Sequence, residues 1–85
     1  MANSNNVTER VMKVVSDQLG FDQDKLTLQT SFINDLGSDS LDLIELVMQL
    51  EDEFGIQVDE EKRDGIQTIG DVITYIENEL NKNGN

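Results

Sequence analysis

Ser40-Leu41-Asp42-Leu43-Ile44-Glu45-Leu46-Val47-Met48-Gln49-Leu50-Glu51-Asp52-Glu53-Phe54 is the stretch that decides the fold. At about 100° per residue, Leu43, Leu46, Val47, Leu50 and Phe54 fall on one side of a helix, spaced as a stripe that faces a core. Gly55 ends the helix, and either Asp39 or Ser40 has the side chain to cap its start. Leu41, Ile44 and Met48 fall on roughly the opposite side, among Asp42, Glu45, Glu51 and Asp52, so one core cannot bury both groups. An apolar patch ringed by like charges reads as a docking surface: the carboxylates orient a basic partner and the aliphatic side chains supply contact area. The plainer alternative is that Leu41 and Ile44 pack beneath a loop or a short helix.

Working upstream, Asn6 with Glu9 three residues on reads as a cap pair, after which Val7, Val11, Val14, Val15 and Leu19 share one helical face until Gly20. Downstream, Thr68 with Asp71 reads the same way and opens a last helix with an Ile69, Val72, Ile73, Ile76 and Leu80 stripe. Between these, Ile56, Val58 and Ile66 anchor the charged Asp59 to Asp64, which suggests one short helical turn before Gly65. Phe21 to Asp39 shows no period and reads as a structureless connection pinned by Leu26, Leu28, Phe32, Ile33 and Leu36; loops of this length are usually functional. The expected fold is all-α: a small up-and-down four-helix bundle, three helices long and one short, with a long first loop. It is read as a single domain over residues 1–85, frayed at 1–5 and 81–85.

The chain has 85 residues, 36% of them hydrophobic, which allows one core but not a core plus an enclosed active site. It has no His and no Cys, so neither a Ser-His-Asp nor a Cys-His nucleophile can be assembled and a thiolate metal site is excluded. A calcium loop starting at Asp35 would need Gly at its sixth position and Glu at its twelfth, where this chain has Ser40 and Leu46. No metal site and no catalytic residue are expected.

Eighteen acids against six bases give a net charge of -12, which repels nucleic acid and anionic lipid and favours partners rich in Lys and Arg. No positive residue lies between Lys25 and Lys62. No apolar run approaches the roughly 20 residues that span a bilayer. Met1 to Asn6 lacks the apolar core of a signal peptide, and the absence of cysteine suits a reducing compartment. A cytoplasmic monomer without membrane insertion is therefore expected.

One group remains with chemistry to offer, the hydroxyl of Ser40, where the loop meets the acidic helix. Unpaired backbone N–H groups and the positive end of the helix dipole make that position hospitable to a phosphate ester. A simple N-cap is the alternative.

Asp35-Leu36-Gly37-Ser38-Asp39-Ser40-Leu41-Asp42 resembles the Asp-Leu-Gly-x-Asp-Ser-Leu-Asp signature of acyl carrier proteins. The likeness continues through Glu45-Leu46-Val47-Met48, Leu50-Glu51-Asp52-Glu53-Phe54 and Ile73-Thr74-Tyr75-Ile76. It implies that Ser40 receives 4'-phosphopantetheine from coenzyme A through a holo-synthase, a phosphopantetheinyl transferase. The arm's thiol would then hold acyl groups as thioesters, the chain being a freestanding carrier of the dissociated fatty acid synthase type. Asp39 would orient the transferase or its metal ion. Leu41, Asp42, Ile44, Glu45, Met48, Glu51, Asp52 and Glu53 would meet basic-surfaced acyl-transferring, condensing, reducing and dehydrating enzymes. Leu46, Leu50, Phe54, Ile66, Ile73 and Ile76 would border a groove for the acyl chain, or simply pack the core.

Ser38, Leu43, Gly65 and Asp59 stand where this family often has Ala, Thr, a polar helix residue and Pro. These departures leave open a specialised polyketide, nonribosomal or lipid-pathway carrier. An acidic interaction module that is never modified is the alternative from another class.

Overall fold

A computed structural model describes residues 3–83, with side chains from Val7 to Asn81. Four α-helices are present among these residues: α1 (Asn3–Leu19), α2 (Ser40–Phe54), α3 (Glu60–Asp64) and α4 (Ile69–Asn83). A single 3-10 turn, Gln23–Lys25, lies between α1 and α2. The fold is an all-α bundle in which α1 packs against both α2 and α4.

The apolar stripes meet as their periods require. Val7, Val11 and Val15 from α1, Leu46, Val47 and Leu50 from α2, and Ile69, Val72, Ile73 and Ile76 from α4 are all buried. Val14, Leu19, Leu43, Phe54 and Leu80 close the edges of this core, half-buried. Gly20 and Gly55 end α1 and α2 in the left-handed conformation, each N–H donating to a carbonyl four residues back. At the far end of α2, Arg10 ties it to α1: the guanidinium donates to the Glu53 carboxylate and carbonyl, both at 2.9 Å, and lies 4.4 Å over the Phe54 ring.

α1 starts at Asn3, upstream of the expected cap, so Asn6 is an interior helical residue whose side chain lies outside the described ones. α4 extends through Asn83, and residues 1–2 and 84–85 lie outside the described residues.

The long connection is not structureless. Ser31 and Asp35 close a tight turn: the Ser31 N–H donates to the Asp35 carboxylate at 2.7 Å, and the Asp35 and Leu36 N–H groups return to the Ser31 carbonyl. Leu26 and Phe32 pin the segment and Leu36 is half-buried, but Leu28 and Ile33, also expected to be pins, are exposed.

Where this connection goes is set by the first turn of α4, whose leading N–H groups need partners from outside the helix. The carbonyls of Thr30 and Leu28 accept from Ile69 and Gly70 at 3.1 and 2.8 Å, and the Thr68 hydroxyl accepts from Asp71 at 3.1 Å. The Phe32 N–H donates to the Gln67 carbonyl. A Cβ on Gly70 would meet the Leu28 carbonyl oxygen at 2.9 Å, so only glycine lets the loop backbone come this close.

Thr68 and Asp71 form the cap pair read from the sequence, and the Asp71 carboxylate also accepts from the Gln67 N–H. That bond is the main reason its pKa lies below the ordinary 3.8; partial burial opposes it, and Thr68 reinforces it through backbone and side chain. A carboxylate depressed in the folded state stabilises above its unfolded value and stops doing so as pH falls through the folded one. Asp71→Asn is accordingly expected to melt lower than wild type above pH 3.8, with the gap closing as acidification proceeds below it. Thermal melts of both proteins along one pH series check this; a gap that persists in acid would refute it.

Candidate functional site

Three pieces of chain converge on Ser40: the turn from Ser31 to Gly37, the first turn of α2, and α3. Gly37 releases the chain from the turn with φ of 68°, in the left-handed region that suits glycine, and nothing lies within 4 Å of where a Cβ would stand. Ser38 then turns inward, 5% exposed, its N–H bonded to the Phe32 carbonyl at 2.9 Å. Asp39 and Ser40 emerge exposed.

Asp39, not Ser40, is the cap of α2. Its carboxylate accepts from the Asp42 N–H at 2.9 Å, and the Asp42 carboxylate accepts from the Asp39 N–H at 3.3 Å, a reciprocal capping box. Ser40 is thus released from helix-starting duty. Its hydroxyl stands exposed at the positive end of a 15-residue helix, and its own N–H and that of Leu41 make no hydrogen bond among the described residues.

The Ser38 hydroxyl is buried with no hydrogen-bond partner among the described residues. Such a group is costly, so Ser38→Ala is expected to stabilise the fold by about 1 kcal/mol, raising Tm by about 4–8 °C. Calorimetry checks this, and a lowered Tm would show that the hydroxyl is satisfied.

Ser40 opens onto a cleft of about 290 Å³ whose walls include Ile33, Leu43, Ile44, Arg63 and Ile66. A second cleft of about 260 Å³ adjoins it, sharing Ile33, Leu43, Ile66 and Gln67. Ile33, Arg63, Asp64 and Gln67 line the cleft without having been given a site role from the sequence. Exposed apolar character in the turn was the available signal for Ile33; for Arg63 there was only its place as a cation next to Lys62 in an acidic chain.

Residues 9–76 match the sequence profile of the family described as "Phosphopantetheine attachment site". The chain belongs to that family. Domains of this kind are non-catalytic carriers that hold 4'-phosphopantetheine covalently and work with transferases and synthase enzymes.

The residues around Ser40 fit such a group. A phosphate ester needs an accessible hydroxyl and a neighbouring positive field, which the helix start and Arg63 supply; the pantetheine stem needs apolar walls, which Ile33, Leu43, Ile44 and Ile66 supply. When attached, the group contributes a thiol at the end of a long arm, so the carrier needs no nucleophile of its own.

The structure divides the residues expected to meet partners. Leu41 and Met48 are 62% and 57% exposed, Ile44 is half-buried in the wall of the Ser40 cleft, and Glu45 and Asp52 are exposed. Asp42 belongs to the capping box, Glu53 is held by Arg10, and the Glu51 carboxylate accepts from the Val58 N–H at 2.7 Å, fixing the approach to α3. Of the six residues expected to border an acyl groove, Ile66 alone lines the clefts beside Ser40. Leu46, Leu50, Ile73 and Ile76 are core residues, and Phe54 lies under Arg10 at the far end of α2.

Among the described residues no helix is long and apolar enough to cross a membrane, and no group of three or more acidic side chains is placed to hold a metal ion.

Proposed function

We propose that Ser40 is the attachment hydroxyl and that the carrier serves fatty acid biosynthesis, holding growing acyl chains as thioesters on the arm. In the loading step the Ser40 Oγ forms a bond to the phosphorus next to the pantetheine of coenzyme A. The pyrophosphate bond breaks, 3',5'-ADP leaves, and the hydroxyl proton passes to a base of the transferase. The observation that carries the reading is the division of labour at the head of α2: Asp39 does the capping, which leaves an exposed serine hydroxyl with no structural task. The second Asp39 carboxylate oxygen remains available to the transferase or its metal ion.

Incubation with coenzyme A and a broad-specificity phosphopantetheinyl transferase tests this. Intact mass should rise by one phosphopantetheine, and fragmentation should place it on Ser40; placement elsewhere, or no gain, would refute the reading.

Leu41, Met48, Glu45 and Asp52 form the docking face on this reading, with the acids steering basic enzymes and Met48 adapting to several of them. Charge reversal by Glu45→Lys should weaken transferase binding by about tenfold at low salt, roughly 1.4 kcal/mol, with the deficit shrinking as salt rises. Tm should stay unchanged within about 0.5 kcal/mol of stability. Surface plasmon resonance across a salt series, alongside melts, reads both; lost stability with intact binding would assign Glu45 to the fold instead.

A further inference from the structure

Resting on the assignment of Ser40, we propose that Arg63 is a cofactor-positioning residue whose guanidinium pairs with the phosphodiester joining the arm to the chain. Ser40 at the head of α2 and Arg63 on α3 line the same cleft. The Arg63 side chain is only 21% exposed, although a guanidinium carries five N–H donors. Among the described residues its one ion pair is loose, 3.9 Å to an almost fully exposed Glu60, and the guanidinium makes no hydrogen bond. A cation so far withdrawn from water and so poorly paired is costly until an anion reaches it.

The other acceptors at hand do not fill that role. Asp64 also lines the cleft, but it is exposed and its charge is screened by solvent. A phosphodiester on Ser40 would bring oxygens of fixed negative charge into the cleft, and the planar guanidinium fork matches such oxygens two at a time. Pairing would also direct the arm, since a phosphate drawn toward α3 starts the pantetheine between Arg63 and the apolar wall of Ile33 and Ile44.

Lys62 provides an internal control. It is the adjacent cation on the same short helix, yet it lines a different cleft, with Asp71 and Tyr75. Lys62→Gln and Arg63→Gln therefore change net charge equally while differing in their access to Ser40.

The test uses the intact chain, first apo and then loaded by a transferase, with loading verified by mass. In wild type the Arg63 Nε–H resonance should shift between apo and holo forms. The 31P resonance of holo Arg63→Gln should be displaced from the wild-type position, while that of holo Lys62→Gln should coincide with it. A holo protein with an unmoved Arg63 resonance and a wild-type 31P position in Arg63→Gln overturns the role of Arg63 and leaves Ser40 standing. Equal displacement in both variants also overturns it, since a general field would then account for the effect. A chain that gains no mass overturns both assignments together.

Discussion

Ser40→Ala is expected to abolish arm attachment completely while leaving the carrier as stable as wild type. Loss of function follows from chemistry: the chain has no cysteine, and Ser40 is the exposed hydroxyl of the α2 N-terminus. Retained stability follows from geometry. Ser40 is the first residue of the helix and makes no side-chain hydrogen bond among the described residues, whereas the capping bonds belong to Asp39 and Asp42. Alanine is also the better helix former, by up to about 0.5 kcal/mol. Asp39→Ala should show the reverse balance in part, costing about 1 kcal/mol for the lost cap. Intact mass after transferase treatment and urea titration separate the two variants. Attachment that persists in Ser40→Ala, or a stability loss above about 1 kcal/mol, would mean that the hydroxyl has been assigned the wrong task.

That Asp39 and not Ser40 caps α2 was half legible in the sequence. Asp-Ser before a helix admits either residue as the cap, because both side chains present an oxygen at the right reach; only the backbone angles at Asp39 decide it. The helices themselves were readable because their signals are local: a stripe with a 3.6-residue period, a Thr68–Asp71 pair, a glycine stop. The start of α1 was not, since Asn3, Ser4, Asn5 and Asn6 all have capping chemistry and the local signal is degenerate. Nor was the order in the first connection, whose carbonyls are held by the first turn of α4 some 40 residues away in sequence. The acidic face suffered the same limit. Glu51 and Glu53 share a helix with Glu45 and Asp52, but a backbone N–H at Val58 and a guanidinium at Arg10 claim them, and neither partner is predictable from helical spacing.

The second large effect concerns that first connection. Phe32→Ala is expected to cost about 3–5 kcal/mol, the usual range for removing a buried aromatic ring. Phe32 is fully buried although it lies in a turn and not in a helix. Its backbone is engaged on both sides as well: the N–H reaches Gln67 ahead of α4, and the carbonyl accepts from Ser38, two residues before Ser40. The ring thus anchors in the core the turn whose backbone bonds reach both Gln67 and Ser38. For 85 residues, total stability is on the order of 4–13 kcal/mol, so the variant should lose a large share of it and populate the unfolded state. Phe32→Leu, which keeps most of the volume, should cost under about 1.5 kcal/mol. Urea unfolding of the three proteins gives the ordering directly, and hydrogen exchange at the Gly70 and Ile69 amides should accelerate in Phe32→Ala beyond what global unfolding accounts for. A cost below about 1 kcal/mol would show that the turn is merely laid over the bundle. The serine would then owe its position to the α2 capping box alone.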